Sequence, residues 1–317
     1  MTERLSVTEW LRFDATRPAP TFFARPAWTL ALCDASPALE PSPMRVRVDS
    51  RSYIVPAVRS PAKLGLTDLV AFPMGGYTCV LDEDGLPADA MTSSHVLHLI
   101  ARGADRTHVV LWPLGAQAVL PAAHLKPYET AVIDCSGGYA RALEGIRGVT
   151  RRMAGQAQRR GVTLRRADCA QASIDAYFAI LSDASIGWGL ARPPITKELL
   201  DAVVRRGGDD VEIWFADVDS EPVAGGVVLY GRDELFFWSA AMRRSHSQYR
   251  PSNALNLRLI EAACERGVRW YNLGASEGLS GVERFKADLG ATSVPYTAYT
   301  LRSPRFHIYE RIRRALH

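Results

Sequence analysis

Lysine is scarce in this chain. Among its 317 residues are 38 basic ones, of which only four are lysines, and every other positive side chain is arginine. The lysines are Lys63, Lys126, Lys197 and Lys286. Lys286 stands in the segment GVERFKADLG, directly after an aromatic residue and between Gly281 and Gly290. Because the chain otherwise uses arginine for positive charge, a lysine in this short segment needs a specific explanation.

Cysteine is also sparse, and its spacing is not that of a metal site. The five cysteines are odd in number and far apart, and no CxxC or Cys/His pattern occurs. Small or apolar neighbours favour buried free thiols in a reducing compartment. The seven histidines show no arrangement typical of a catalytic base. We therefore expect no metal site, and we assign no cysteine or histidine a catalytic role.

Long apolar runs are missing as well. No stretch approaches the ~20 apolar residues that a helix needs to cross a membrane. The first 30 residues contain Asp14 and two tryptophans, and they lack the basic-then-apolar pattern of a signal peptide. The sequence thus predicts no membrane span and a cytoplasmic protein.

The length and composition are those of a folded protein with two domains. A chain of 317 residues is too long for one typical core. Its 47% of hydrophobic and 23% of charged residues are typical of globular proteins. We predict a first domain at residues 1–150 and a second at residues 151–317.

Positive charge is concentrated in one stretch, although the net charge is only +4. Residues 141–166 contain eight arginines, while the nearest acids are Glu144 and Asp168. Such a stretch is able to meet phosphates or a nucleic-acid backbone. A solvated helix face is the alternative. The candidate phosphate-contacting residues are Arg147, Arg151, Arg152, Arg159 and Arg160.

The first half shows a mixture of strand and helix patterns. Residues 45–58, RVRVDSRSYIVPAV, predict a hairpin with a polar turn. Residues 93–104, SSHVLHLIARGA, predict a helix with a serine cap and Gly103 after its end. Residues 139–162 have apolar side chains at helical spacing and arginines between them, which predicts one linking helix that Gly161 ends.

The second half has a clearer order of elements. The patterns predict two helices, a hairpin, a third strand, a loop, a helix, a strand, a short segment with Phe285 and Lys286, a last strand and a basic terminal helix. The corresponding stretches are residues 174–185, 193–208, 211–231, 234–242, 243–252, 253–267, 268–275, 281–290, 295–301 and those that follow.

This order matches the N-acetyltransferase (GNAT) fold, and three segments make the likeness more specific. They are RRMAGQAQRRGVTLRRAD, YRPSNALNLRLIEAACERGVRWYNLGAS and GVERFKADLGA. On them the chain resembles the FemXAB family, strongly from about Arg151 onward and weakly before it, where FPMGGYTCV resembles the family's glycine-rich segment. The resemblance implies an α+β fold of two tandem GNAT-like domains, the first degenerate, each with a mixed, mostly antiparallel sheet flanked by helices.

FemXAB proteins transfer amino acids from aminoacyl-tRNA to peptide amines in a groove between their two domains. The resemblance places the Phe-Lys pair at the reaction centre, so Phe285 and Lys286 are the candidate catalytic residues. Negative charge builds on the ester oxygen under attack, and a positioned ammonium stabilises it. Lysine suits this role as a compact point charge. Phe285 offers a flat surface to the tRNA acceptor end. In the alternative interpretation, Phe285 is core and Lys286 is solvated.

The chain also departs from the family pattern. Members that use a nucleotide-linked cell-wall precursor carry a lysine shortly after the first-domain tryptophan, where this chain has Leu32. They also carry an arginine and a tyrosine where Trp188 and Arg192 stand here in a different arrangement. Both departures favour a free or carrier-held peptide acceptor, as in peptide-antibiotic pathways, over a nucleotide-linked precursor.

The loop RRSHSQYRPSNAL occupies the place where GNAT enzymes bind the pyrophosphate of acetyl-CoA. It lacks their glycines, and we expect Ser252 or Asn253 to cap the next helix and use one of its N–H donors. This argues against acetyl-CoA, while Arg243 and Arg244 remain able to contact other phosphates. The residues of this loop expected to line the groove are Tyr249, Arg250, Ser252 and Asn253.

Further candidates come from strands and turns. Trp238 and Ser239 lie on a strand whose side chains often face substrate in GNAT folds, with a core role for Trp238 as the alternative. The glycine-rich turn at Gly75 and Gly76 allows the backbone of a peptide to approach closely, or it serves only to form the turn. Asn272 and Gly274 are expected to position the loop before Lys286. The remaining substrate-binding candidates are Gly75, Gly76 and Tyr77.

The sequence thus predicts an aminoacyltransferase that needs no cofactor apart from aminoacyl-tRNA as co-substrate. Its partners are this tRNA and a peptide-like acceptor, free or on a carrier protein. The amine's proton goes to water, to a substrate carboxylate or to a groove carboxylate such as Asp288. The rival predictions are an acyl-CoA-dependent N-acyltransferase and a non-catalytic RNA-binding protein.

Overall fold

The chain forms two compact units. A computed structural model describes residues 1–61, 65–71, 76–120, 123–276 and 278–315. Unit 1 consists of Met1–Glu129 and Val294–His317, and unit 2 of Thr130–Ser293. Unit 2 is therefore one continuous segment, whereas unit 1 is assembled from two segments that are distant in sequence. Among the described residues, no helix is both long and apolar enough to cross a membrane.

This division differs from the sequence boundary at residues 150/151. The segment from Thr130 to residue 150 belongs to unit 2, and the chain returns to unit 1 at Val294. Strand pairing is the physical reason, because residues 132–134 hydrogen-bond to residues 270–272 within unit 2. Such long-range pairing leaves no local mark in the hydrophobic pattern.

Helices and strands alternate irregularly along the chain. The α-helices of the described residues are α1 (Val7–Thr16), α2 (Pro26–Ala35), α3 (Ala90–Ala101), α4 (Gly138–Gly145), α5 (Gly148–Arg159), α6 (Gln171–Gly187), α7 (Lys197–Gly207), α8 (Pro251–Glu265), α9 (Ser280–Asp288) and α10 (Pro304–Ala315). The strands are β1 (Thr2–Arg4), β2 (Glu40–Pro41), β3 (Met44–Val48), β4 (Arg51–Val55), β5 (Val58–Pro61), β6 (Thr67–Ala71), β7 (Arg106–Val110), β8 (His124–Asp134), β9 (Thr163–Arg166), β10 (Val211–Val218), β11 (Glu221–Tyr230), β12 (Glu234–Met242), β13 (Trp270–Asn272) and β14 (Thr292–Arg302).

Unit 1 contains two groups of paired strands. The predicted hairpin is β3–β4, and β1 pairs with β3. The other strands follow the order β2-β5-β6-β7-β14, in which β6 and β7 are parallel and the remaining pairs antiparallel. The pairing of β14 with β7 attaches the returning segment of the chain to unit 1.

Aromatic side chains dominate the core of unit 1. Trp10, Trp28 and Phe23 are fully buried. The Phe23 ring meets Trp28 edge-on at 4.8 Å and Tyr77 edge-on at 5.5 Å between centroids. Edge-to-face contact is the arrangement that aromatic quadrupoles favour. The tryptophans of the first 30 residues thus belong to a folded core.

The paired strands of unit 2 follow the order β8-β13-β12-β11-β10-β9. Among these described pairs, β12–β13 is parallel and the others are antiparallel. The predicted hairpin is β10–β11, and its turn residues Asp219 and Ser220 both have positive φ, as a tight two-residue hairpin turn requires.

Helices cover both faces of the unit 2 sheet. Alternation along β10 places Trp214 in one hydrophobic cluster with residues of α8, and Ala216 in another with Ala254 of α8. Phe215, which points the other way, lies with Tyr177 of α6 around Gly225. A β-carbon at Gly225 would lie 3.0 Å from Phe215 and 3.1 Å from Tyr177, so glycine allows this close packing.

Two sequence expectations about helices were wrong in detail. Helix α3 begins at Ala90 and is capped by Asp89, whose carboxylate accepts from the Thr92 N–H at 2.9 Å, so no serine caps it. The predicted linking helix is two helices, α4 and α5. Ile146 between them adopts an extended backbone and buries its side chain in the core, which breaks the helix.

Candidate active site

Lys286 is a buried lysine whose ammonium is held by the backbone. The residue lies on α9 and is only 7% exposed. Its Nζ donates to the carbonyl oxygen of Gly274 at 2.8 Å and to that of Ala275 at 2.9 Å. Both carbonyls belong to the loop that follows β13. A buried ammonium needs such acceptors, because leaving it unpaired costs several kcal/mol. The interpretation of Lys286 as a solvated residue is thereby ruled out.

The C-terminal end of α9 is fixed against the α4–α5 junction. A β-carbon at Gly290, which has φ +82°, would lie only 2.7 Å from the Gly145 carbonyl oxygen. The Arg147 guanidinium donates to the Asp288 carboxylate at 2.7 Å, and the Arg147 backbone N–H donates to the Asp288 carbonyl at 3.1 Å. The last glycine of the GVERFKADLG segment thus permits close backbone approach. Asp288, one predicted proton acceptor, forms an ion pair with Arg147.

Phe285 is half-buried and packs against the hydrophobic core of unit 2. The same core contains Leu259 and Tyr271. At least one side of the Phe285 ring is therefore in contact with the core. Its predicted role as a surface for the tRNA acceptor end stays a prediction.

Asn272 connects the Gly274 loop to a buried acid. Asn272 Nδ2 donates to Glu234 Oε1 at 2.7 Å, and its Oδ1 accepts from the Gly274 N–H at 2.9 Å. Thr130 Oγ1 also donates to Asn272 Oδ1, at 2.6 Å. Together with Lys286 these residues form the Lys286 network: Thr130, Glu234, Asn272, Gly274 and Lys286. Asn272 and Gly274 thus shape the loop that Lys286 contacts, while their predicted contact with substrate stays a prediction.

Sequence reasoning missed two members of this network, Glu234 and Thr130. Glu234 begins the apolar run ELFFWSAAM and is completely buried, so an acid at the edge of a strand pattern was the available signal. Thr130 offered no signal, because nothing in its local sequence indicates a partner 142 residues away.

A bulge on β12 sets the positions of Trp238 and Ser239. Val227 pairs with Ser239 and Val228 with Phe237, which leaves Trp238 as the extra residue. Trp238 is half-buried. Ser239 accepts a hydrogen bond of 2.6 Å from the Tyr177 hydroxyl. Burial raises the pKa of Tyr177 above its usual value, so this hydroxyl stays protonated and acts as the donor.

The expectation that Ser252 or Asn253 caps α8 was wrong. The helix begins at Pro251, its N-cap is Arg250, and no side chain caps it. Proline suits the first helical position because its φ is already fixed and no N–H is lost there. The Ser252 hydroxyl instead contacts the Met242 sulfur at 3.5 Å. The N–H groups at this helix start are therefore not consumed by a capping side chain.

The loop before α8 is tied down from several sides. Residues Arg244–Tyr249 form a short 3₁₀ helix, in which Tyr249 stacks on His246 at 6.0 Å. Arg250 adopts left-handed φ of +58°, which costs a non-glycine residue ~1–2 kcal/mol. The Arg160 guanidinium hydrogen-bonds to the Gln248 carbonyl. Tyr249 is half-buried and Arg250 exposed.

The predicted phosphate-contacting arginines lie on α5 and at its two ends. Arg151, Arg152 and Arg159 are exposed, while Ala154 and Ala157 face the core. Arg147 and Arg160 are exposed as well. Three of the five donate to protein groups: Arg147 to Asp288, Arg151 to the Leu143 carbonyl at 3.4 Å and Arg160 to the Gln248 carbonyl. The exposed side of α5 is therefore strongly positive.

The glycine-rich segment belongs to unit 1, and Gly75 lies outside the described residues. A β-carbon at Gly76 would lie 2.8 Å from the Phe23 ring, and Tyr77 is 1% exposed. The structure thus gives both residues a part in the aromatic core. Their predicted contact with substrate stays a prediction.

All five cysteines are thiols rather than disulfides, and burial disfavours the thiolate in four of them. Burial raises the pKa of Cys33 to about 11 and also raises the pKa of Cys135, Cys169 and Cys264. A thiol that stays protonated at neutral pH is a poor nucleophile. Within the described ranges, no group of three or more His, Cys, Asp or Glu side chains has an arrangement that could hold a metal ion.

Comparison with known proteins identifies this fold. Residues 141–287 match the family model described as an acetyltransferase (GNAT) domain. The structure is similar to the crystal structure of FemX, with a TM-score of 0.71 over 97% of this chain and 99% of that one, at 10% identity. No curated protein sequence matched.

Two further solved structures share the architecture. L-PGS from Bacillus licheniformis has a TM-score of 0.54 at 15% identity, covering 97% of this chain and 96% of its own. A tandem GNAT protein from the clavulanic acid biosynthesis pathway has a TM-score of 0.53 at 16% identity, covering 95% and 98%. At these identities the likeness shows the fold.

The chain thus has a FemXAB-like GNAT fold. The α+β class with tandem GNAT-like domains, predicted from the sequence, is confirmed. The matching domain model supports an acyltransferase.

Proposed function

We propose that this protein transfers an amino acid from aminoacyl-tRNA to the amino group of a peptide-like acceptor. The acceptor nitrogen attacks the ester carbonyl carbon, forms an amide bond and expels the ribose oxygen of the tRNA. The proton lost by the amine balances the one that the ribose oxygen gains. The reaction needs no ATP, because the ester already carries the energy of the new bond.

The buried, oriented ammonium of Lys286 is the observation that carries this proposal. Two of its three N–H directions are fixed by the Gly274 and Ala275 carbonyls, so the charge is held in place before substrate arrives. Preorganised charge near a developing oxyanion supplies several kcal/mol of transition-state stabilisation. Lys286 is the proposed oxyanion-stabilising group, and the resemblance to FemXAB proteins supports this role.

The exposed arginines of α5 support a tRNA donor. Arg151, Arg152 and Arg159 present positive charge to solvent, where backbone phosphates would find it. The fold neighbours FemX and L-PGS, together with the resemblance to FemXAB proteins, support the transfer of amino acids.

A small or carrier-held peptide is the acceptor that we propose. The sequence departs from family members that use nucleotide-linked peptidoglycan precursors, as noted for Leu32, Trp188 and Arg192. One fold neighbour comes from an antibiotic-related pathway, that of clavulanic acid. A cytoplasmic setting, where charged tRNA is present, completes the proposal.

A transfer assay with charged tRNA tests this function. Total tRNA is charged with a radiolabelled amino-acid mixture and incubated with the protein and a panel of small peptides. We expect label in peptide that disappears when the tRNA is first digested with RNase. Peptide labelling that survives RNase digestion would contradict the tRNA donor, and peptide acylation that appears only with acetyl-CoA would replace it.

An acyl-CoA-dependent N-acyltransferase is the second candidate, and one observation favours it. No side chain caps the N-terminus of α8, so no capping side chain competes there with a pyrophosphate, although the Asn253 N–H already donates to the Arg250 carbonyl at 3.2 Å. Coenzyme A at millimolar concentration should then raise the melting temperature. A melting temperature that does not change with coenzyme A would count against this candidate.

A further inference from the structure

We propose that Glu234 is a positioning residue for Lys286, acting through Asn272 and Gly274. Its carboxylate fixes the Asn272 amide, the amide fixes the Gly274 peptide, and the Gly274 carbonyl fixes the direction of the ammonium. The consequence for catalysis rests on the proposed function. The structural part of the inference can be measured without any activity.

The first link runs between two adjacent parallel strands. Glu234 begins β12, and β12 pairs with β13 so that Phe236 lies opposite Asn272. Glu234 and Asn272 are thus diagonal neighbours, and both are 0% exposed. The 2.7 Å hydrogen bond from Asn272 Nδ2 to Glu234 Oε1 joins them.

The second link is the orientation of the Asn272 amide. Its other end accepts two hydrogen bonds, from the Gly274 N–H at 2.9 Å and from Thr130 Oγ1 at 2.6 Å. A backbone N–H can only donate, so the amide oxygen must face Gly274. The amide nitrogen then faces Glu234 and donates to its Oε1. Without the Glu234 acceptor, a 180° flip of the Asn272 amide no longer sacrifices a hydrogen bond at the end that faced Glu234.

The third link is the peptide at Gly274. The bond from Gly274 N–H to Asn272 Oδ1 spans two residues and closes a local turn of the kind that asparagine side chains form. Within it Gly274 adopts φ of +72°, and its carbonyl accepts from Lys286 Nζ at 2.8 Å and from the Ala131 N–H at 3.2 Å. A flipped Asn272 amide would present an N–H group to the Gly274 N–H. The turn would open, and the carbonyl would rotate away from Lys286.

A second buried acid of the same sheet, Glu212, has contacts that indicate a purely structural role. Glu212 on β10 is paired with Arg166 at 2.9 Å and with Arg266 at 3.4 Å. Its other oxygen accepts from the Trp214 indole at 2.8 Å. Glu212 therefore compensates cations at the sheet surface and has no contact with the Lys286 network. It provides a matched control for the removal of a buried charge from this sheet.

Four variants isolate the inferred pathway. Glu234→Met removes the acceptor at similar volume, and Glu234→Gln keeps an amide oxygen that Asn272 can still use. Thr130→Val removes one donor to Asn272 Oδ1 with little change of shape. Glu212→Gln is the control.

The scarcity of lysine makes the readout direct. Protein labelled with [ε-13C]lysine gives signals from four residues, and Lys286→Met identifies which belongs to Lys286. We expect the Lys286 signal to shift by several linewidths in Glu234→Met and by less than one in Glu234→Gln and Glu212→Gln. A Lys286 signal that stays in place in folded Glu234→Met overturns the inference. If Glu234→Met does not fold, Thr130→Val provides the same test. We expect the Lys286 signal to shift in Thr130→Val, and an unshifted signal would contradict the inference.

The transfer reaction supplies the second readout. In Glu234→Met we expect kcat to fall at least tenfold with KM unchanged within about threefold, because the substrates still bind while the charge points elsewhere. Glu234→Gln should recover most of that loss. Equal losses in both variants would overturn the inference, since they would mean that the carboxylate charge itself takes part. If the wild-type protein transfers nothing, the proposed function fails, while the lysine spectrum still decides the positioning of Lys286.

Discussion

At Lys286, two backbone carbonyls accept hydrogen bonds from a buried side chain. Two carbonyl groups of the β13–α9 loop accept from its ammonium, and that loop owes its shape to Asn272. A carbonyl oxygen carries only a partial negative charge, so these two hydrogen bonds orient the Nζ group without cancelling its charge.

Replacing this lysine should separate catalysis from folding. We expect Lys286→Met to lower the rate of transfer at least hundredfold, because the developing oxyanion loses its cation. Its free energy of unfolding should fall by only about 1–3 kcal/mol, since two carbonyls lose a donor. Both are measured on one preparation, by the transfer assay and by urea unfolding.

Lys197→Met is the matched control, because Lys197 is only partly buried and pairs with Asp175 at the surface. It should change both quantities little. Full activity in Lys286→Met would exclude the oxyanion role.

Gly274 should tolerate no side chain. Its φ of +72° strains any other residue, and a β-carbon there would lie 3.3 Å from the Phe236 ring. Gly161 has φ of +84° and open space around the same point, so Gly161→Ala measures the backbone cost alone, ~1–2 kcal/mol. We expect Gly274→Ala to destabilise the protein by more than Gly161→Ala and to reduce transfer, measured by urea unfolding and initial rates. Equal destabilisation by Gly274→Ala and Gly161→Ala would contradict this prediction, because it would mean that the Phe236 ring moves aside at no cost.

At the scale of elements, α9 explains the family-like segment GVERFKADLG in physical terms. Gly290 lets the end of the helix meet the backbone at Gly145, and Asp288 is bound by Arg147. These contacts hold the last turn of α9, which carries Lys286. The segment therefore holds Lys286 in place, and its Asp288 has a structural role.

Helix α5 is the element on which tRNA binding is testable. We expect the triple variant of Arg151, Arg152 and Arg159 to glutamine to bind tRNA more weakly. The dependence of log Kd on log salt should become shallower by about one unit per lost phosphate contact. Stability should change little, because all three side chains are exposed. The measurement is a filter-binding titration at several salt concentrations.

A charge-matched triple variant controls for the overall loss of positive charge. Arg12, Arg47 and Arg51 of unit 1 are also exposed, and their replacement by glutamine removes the same charge. It should leave the salt dependence nearly unchanged. Equal weakening by both triples would mean that α5 is an ordinary solvated helix face.

At the scale of the whole molecule, unit 1 depends on pairing between distant segments. Strand β14 hydrogen-bonds to β7, and His108 of β7 hydrogen-bonds through Nδ1 to the Thr300 hydroxyl at 3.0 Å. Burial, and then repulsion by Arg106, lowers the pKa of His108 below its usual value of 6.5. The unfolded chain therefore takes up this proton at a higher pH than the folded one.

This difference gives the stability of unit 1 a predictable dependence on pH. The contribution of His108 is full above about pH 6.5 and is lost as the pH falls below that value toward the lower folded pKa. Urea unfolding between pH 7 and pH 5 should show a weaker loss of stability in His108→Gln than in the wild-type protein. His95→Gln, at an exposed position of α3, should keep the wild-type slope. An unchanged slope in His108→Gln would contradict this assignment.

The sequence alone determined the elements and the residue at the centre of the candidate site. The hairpin at β10–β11, the strand β12 and the helix α8 could be predicted because periodicity and turn residues are local properties. Lys286 stood out because lysine is rare in this chain and because its neighbours resemble a known motif. Helix boundaries were less predictable, since Asp89, Ile146 and Pro251 set them through backbone geometry and burial.

Only the tertiary structure decided which residues act together. Thr130 and Glu234 reach Asn272 from distant parts of the chain, and the loop carbonyls that hold Lys286 carry no side-chain signal at all. The division into units likewise followed strand pairing between residues far apart in sequence. The physical reason is the same in each case. Side-chain patterns report local conformation and burial, whereas hydrogen bonds between distant backbone and side-chain groups exist only after the chain has folded.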